Sequence, residues 1–121
     1  MSISDTLNKH GFVELTAWEI RNGRIKPVNT DWDDCSRWLY AFVVDDKVRY
    51  VGKATTVLRS RLDGYAYQIG DRVGSRIHDL LDAGERVRIF GAKRSQSTDA
   101  ELEAEESELI KVLASDWNVH P

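Results

Sequence analysis

The chain has 121 residues, 41% of them apolar and 31% charged, which fits one globular domain with one modest core. No apolar run reaches the length of a membrane span and no hydrophobic signal region opens the chain, so no membrane partner is expected. The net charge of −3 counts weakly against nucleic acid, and the single cysteine, Cys35, excludes an internal disulfide and points to a reducing cytoplasm.

Residues 4–10 read as a short helix capped by Ser4 and stopped by Gly11. Phe12 to Arg21 alternates loosely as a strand. Asn22-Gly23 is a two-residue hairpin signal, because both positions tolerate positive φ, and Arg24 to Val28 is the return strand, ended near Pro27. Asn29 to Ser36 is a polar loop holding Asp31, Asp33 and Asp34 around Trp32; these carboxylates suit a solvated loop better than a metal site. Cys35 suits a small half-buried packing residue better than a nucleophile.

Residues 38–44, Trp-Leu-Tyr-Ala-Phe-Val-Val, are an unbroken apolar run of the kind found in a strand buried on both faces. Asp45, Asp46 and Lys47 make a polar turn, and residues 48–52 return as a second strand, giving an antiparallel hairpin. Tyr40 lies within the first strand and Tyr50 in the second, just before Gly52, a residue type that lets another group approach the backbone closely. Lys53 follows, and Arg59 and Arg61 lie on the next helix. Two phenols, a glycine, a lysine and two arginines at one strand-to-helix junction suit a phosphate site.

After Leu62 comes a glycine- and aromatic-containing connection with Gly64, Tyr65, Tyr67 and Gly70. Tyr65 is about one helical turn beyond Arg61; core packing and a place in the site explain it equally well. Arg72 to Ala83 is an amphipathic helix built on Val73, Ile77, Leu80 and Leu81 and ended by Gly84, with His78 off the apolar face. Glu85 to Ala92 alternates as a third strand with Arg86 and Arg88 on one face, where they either touch a phosphate backbone or solvate an open sheet face. Thr98-Asp99-Ala100-Glu101 is a capping box that opens a helix running to about Ser115. Its apolar positions, Leu102, Leu109, Ile110 and Leu113, share one face, and Glu106 falls in the middle of them. A carboxylate in an apolar stripe needs a partner, and a divalent cation or an arginine would serve.

Charge is segregated along the chain. Residues 49–94 hold ten Lys/Arg against five Asp/Glu, while residues from Asp99 onward hold one against seven. A basic middle beside an acidic helix suits a phosphate-binding face flanked by a metal-binding carboxylate, as it also suits a well-mixed surface.

Leu39-Tyr40 followed by Tyr50-Val51-Gly52 resembles the paired half-motifs of the GIY-YIG nuclease superfamily, with Trp38 standing where the family usually has Gly. The run from Lys53 to Leu62 resembles the helix bearing the family's arginine, with Arg61 the better match and Arg59 the fallback. Glu106, then Leu109-Ile110-Lys111 and Trp117-Asn118, resemble its metal-binding glutamate and terminal asparagine, without the proline commonly found between them. The resemblance spans Trp38 to Asn118.

The resemblance implies an α+β fold: a small antiparallel sheet of at least three strands (about 37–44, 48–52 and 86–92) flanked by helices. Residues 37–121 would form the nuclease domain; residues 1–36, which are not part of the resemblance, read as a helix and hairpin extension packed on the same domain. It also implies a metal-dependent endonuclease acting on DNA, with Mg²⁺ or Mn²⁺ as cofactor and a homodimer as one arrangement. Tyr40, Tyr50, Lys53, Arg61, Glu106 and Asn118 would be the catalytic set, with Glu106 holding the metal. Gly52, Arg59, Tyr65, Arg86 and Arg88 would contact substrate. The competing reading is a DNA-binding module that kept this fold and lost the chemistry.

Overall fold

The strand that reads as buried on both faces, β3 (Ser36–Val44), lies inside a five-stranded sheet, and every residue from Trp38 to Val44 has at most 1% of its surface exposed. The structure, a computed structural model, describes residues 2–28, 31–32, 34, 36–67 and 72–118. Asp33, Cys35, Gly70 and the side chain of Tyr67 lie outside the described residues. The remaining elements in chain order are α1 (Ile3–Lys9), β1 (Val13–Arg21), β2 (Arg24–Pro27), β4 (Lys47–Val57), α2 (Leu58–Tyr67), α3 (Arg72–Asp82), β5 (Val87–Lys93) and α4 (Asp99–Leu113). The strand order is β2-β1-β5-β3-β4, and each neighbouring pair is antiparallel. The expected α+β architecture is therefore present, enlarged to five strands by the N-terminal hairpin.

Alternation along β3 divides the core in two. Trp38, Tyr40, Phe42 and Val44 face α2 and α3, where Leu58, Leu62, Val73, Ile77 and Leu81 cover them. Leu39, Ala41 and Val43 face α1 and α4, against Leu7, Phe12, Leu102 and Leu109. Burying each such aliphatic side chain contributes roughly 1.5–3 kcal/mol. No described helix is long and apolar enough to cross a membrane.

Several boundaries differ from the sequence reading, each for a local reason. α1 begins one residue earlier, because Ser2 rather than Ser4 accepts the Asp5 N–H at 3.2 Å. The β3–β4 turn needs only Asp45 and Asp46, both at positive φ (54° and 58°), so Lys47 already belongs to β4. β4 continues five residues past Gly52, which puts Lys53 on a strand. The helix then extends through Gly64 and Tyr65, so these residues are helical rather than part of a connection. β5 is internal, between β1 and β3, and α1 and α4 cover the face that carries Phe90; it is not an open sheet face.

Candidate active site

The site is built around one rung of the sheet. Tyr40 pairs with Gly52 on β4 and with Gly91 on β5. A methyl group at Gly52 would lie within 3.0 Å of the Tyr40 oxygen and two of its ring carbons, so the missing side chain is the space the phenol occupies. Gly52 therefore makes room for Tyr40 instead of opening the backbone to substrate. Gly91 gives room to Leu15 and Trp38: a methyl there would stand 2.6 Å from Leu15 Cδ1 and 3.0 Å from two Trp38 ring carbons. Trp38 also packs edge-on against Trp32, centroids 5.7 Å apart. The bulky Trp38 is thus accommodated, together with Leu15, by a glycine on the adjacent strand. An isolated glycine within a strand pattern is the sequence signal for it.

Three phenols meet on the α2 side. Tyr40 Oη and Tyr65 Oη are 2.6 Å apart, and Tyr65 Oη lies 3.4 Å from Tyr50 Oη. Arg61 Nε donates to Tyr40 Oη at 3.1 Å, and the guanidinium lies 5.3 Å from the Tyr65 ring centroid. Phe42 packs beneath, in contact with all three tyrosine rings. Tyr65, placed one turn after Arg61, belongs to both the core and the site. Burial pushes all three phenols above their ordinary range, and the neighbouring phenols add to the shift. They are therefore neutral hydrogen-bonding groups near pH 7. Tyr40 has no exposed surface, while Tyr50 is only partly buried, so Tyr50 is the phenol within reach of a ligand. Among the described residues the terminal nitrogens of Arg61 make no hydrogen bond, which leaves a fixed cation at the surface.

Glu106 and Lys53 lie on the opposite, α4 side of β4, since Lys53 is opposite Leu39 in the register. Glu106 is half-buried, and desolvation raises its pKa, opposed by the positive charges of Lys53 and Arg61. It makes no ion pair among the described residues. An arginine pairs instead with its neighbour: Arg94 Nε and a terminal nitrogen each donate to Glu105 at 2.8 Å. No group of three or more His, Cys, Asp or Glu comes together among the described residues. A single half-buried carboxylate beside an open surface suits a hard cation that keeps most of its waters and takes its remaining ligands from a phosphate. The residues present therefore fit Mg²⁺ or Mn²⁺ held by Glu106.

Asn118 fastens this arrangement from the edge. Its Oδ1 accepts the Val51 N–H at 3.0 Å and the Ser115 hydroxyl at 2.5 Å, and its Nδ2 donates to Val51 O at 2.9 Å. Trp117 N–H donates to Arg49 O at 2.7 Å. The segment after α4 thus pairs with the outer edge of β4 at Arg49 and Val51. Asn118 acts by holding α4, and Glu106 with it, against β4.

The remaining basic candidates lie elsewhere. Arg59 stacks over Trp32 at 4.2 Å and donates to Trp32 O at 2.6 Å, beside Asp34. Asp34 accepts the Leu58 and Arg59 N–H groups at 2.8 and 3.2 Å, so it caps α2 from the loop that sequence alone treated as solvated. Arg88 pairs with Glu14 at 2.9 Å and donates to Ser4 Oγ at 2.9 Å, and Arg86 is exposed near Glu14. Both belong to the α1 side of the molecule, away from the tyrosines.

No protein-family model and no curated protein matches the chain. Among solved structures it is similar to a mutant of bacteriophage T4 EndoII, at 22% identity and TM-score 0.79, covering 98% of this chain and all of that one. It is also similar to the restriction endonuclease HPY188I in complex with product DNA, at 17% identity and TM-score 0.56, covering 93% of this chain and 81% of that one. The α+β architecture is therefore shared with these two structures, in the first case over nearly the whole of both chains.

Proposed function

We propose that this protein is a DNA endonuclease that hydrolyses phosphodiester bonds with the help of Mg²⁺ or Mn²⁺. The observation that carries this reading is the pairing, across strand β4, of a phenol–guanidinium network with a half-buried glutamate that has no ion pair among the described residues. The fold neighbours, one a phage EndoII and one a restriction endonuclease bound to product DNA, support the same chemistry.

In this reading Tyr50 faces the scissile phosphate and orients the attacking water, and Tyr65 links it to the buried Tyr40. Tyr40 fixes Arg61 through Nε, so the free end of the guanidinium meets a phosphate with little reorganisation and stabilises its developing charge. Lys53 adds a point charge on the Glu106 side. The bound cation would supply charge stabilisation and a more acidic water. Cutting both strands of a duplex calls for two such sites, which a homodimer supplies.

The test is nicking of supercoiled plasmid by purified protein with Mg²⁺, with Mn²⁺ and with chelator. Wild-type protein is expected to nick only with metal. Arg61→Ala and Glu106→Gln should each lower the rate about a hundredfold or more, the loss of roughly 3 kcal/mol of charge stabilisation. A folded wild-type protein that binds DNA but nicks nothing with either metal would leave the binding-module reading in place.

A further inference from the structure

The hairpin formed by β1 and β2 stands partly clear of the sheet. β1 pairs with β5 only as far as Trp18, opposite Val87, while its pairing with β2 runs on to Arg21 opposite Arg24. Residues 19–26 are therefore a two-stranded ribbon projecting past the start of β5, closed by Asn22 and Gly23 at φ 53° and 76°. Ile20 and Ile25 share the face that continues the core, and Ile25 is 6% exposed beside Trp18. The other face carries Glu19, Arg21, Arg24 and Lys26.

On that face Glu19 lies opposite Lys26, while Arg21 and Arg24 are directly opposite each other, and like charges in that position destabilise a strand pair. Glu19 forms an ion pair with Arg21 alone. Arg24 and Lys26 are exposed and have no ion pair among the described residues. With Asn22 the three cations line a shallow recess of about 520 Å³. The alternation of the sheet puts them on the same side as Lys53 and Glu106. The ribbon lies at one edge of the sheet and β4 at the other, four strand spacings or about 19 Å across, and Lys26 and Arg24 are also displaced along the strands by about five to seven residues from the Gly52–Tyr40–Gly91 rung, so they lie roughly 25–30 Å from the tyrosine site.

We propose that this ribbon is a second contact for duplex DNA. Arg24 and Lys26 would hold backbone phosphates about seven to nine nucleotide steps, at 3.4 Å each, from the bond being cut. A two-stranded ribbon has the dimensions to enter a major groove, and exposed cations on one face suit its phosphate walls. The proposal rests on the nuclease reading of the tyrosine site and adds where the flanking duplex is held.

The test is binding of a mixed-sequence 30-base-pair duplex by wild-type protein and by the double variant Arg24→Ala/Lys26→Ala, without metal and across a salt series. Each lost phosphate contact should reduce the slope of log affinity against log salt by about 0.9, so the double variant should lose about 1.8. Low-salt affinity should fall about tenfold or more for every sequence tried. Arg24→Lys/Lys26→Arg should keep the wild-type slope. Plasmid nicking at saturating protein should be unchanged in all three, because neither residue touches the tyrosine site. Equal slopes and affinities for wild-type and double variant, with wild-type binding and nicking, would overturn the ribbon contact alone. Wild-type protein that binds no DNA would overturn both readings.

Discussion

Glu106 and Gly52 show how a single residue can be tested here. Desolvation raises the Glu106 pKa, so its ionisation in the fold is unfavourable. An acid with a raised folded pKa leaves stability intact below its unfolded pKa and removes stability as pH rises through the folded value. Glu106→Gln is therefore expected to melt higher than wild type at pH 7 without metal. The gain should vanish near pH 4, where both side chains are neutral, and added Mg²⁺ should raise the melting point of wild type only. A Glu106→Gln protein that melts lower at pH 7 would contradict the cation site. Gly52→Ala drives a methyl into the Tyr40 phenol, which is boxed in by Phe42, Tyr50 and Tyr65. The expected cost is about 1–3 kcal/mol in urea unfolding, with a loss of nicking, because Tyr40 and Arg61 move together.

Two elements carry the site, and each is fixed by a group distant in sequence. α2 starts where Asp34 caps it, and the helix sets the position of Arg61 one turn later. Asp34→Ala should cost about 1 kcal/mol, as for other lost helix caps, and, on the proposed role of Arg61 at the reacting phosphate, should lower nicking more than it lowers duplex affinity. α4 is held against β4 through Asn118. Replacing it by alanine strands the Val51 N–H and C=O, partly buried partners, and is expected to cost about 1–3 kcal/mol by urea unfolding. If Asn118→Ala unfolds like wild type, its hydrogen bonds do not hold the helix.

At the scale of the whole molecule, the sheet separates two kinds of chemistry. Tyrosines and Arg61 lie on the α2 side, and Glu106 and Lys53 on the α4 side, so a phosphate reaching both must lie along the β4 edge. The three phenols also tie global stability to alkaline pH. Their folded pKa values lie above the unfolded value of about 10, so the fold keeps its full stability below that pH and loses it as pH rises further. Urea midpoints measured from pH 8 to 11.5 should be level and then fall. Tyr65→Phe should make the fall shallower.

The sequence by itself determined the elements whose signals are local. The apolar run at 38–44, the Asn22-Gly23 turn, the glycine stop at Gly84 and the capping box at Thr98 each depend on a few adjacent residues, and each is present where expected. It also singled out Glu106, because a carboxylate within an apolar helical stripe is visible from spacing alone. Tertiary structure decided what those residues meet. Arg59 and Arg61 are two positions apart, yet about 200° apart around the helix, so one stacks on Trp32 and the other joins the tyrosines. Glu105 and Glu106 are adjacent, and only Glu105 reaches Arg94. Arg88 reads as one more basic candidate until the register of β1 against β5 brings Glu14 beside it. In each case the sequence supplies the charge, and contacts between residues far apart in the chain select its partner.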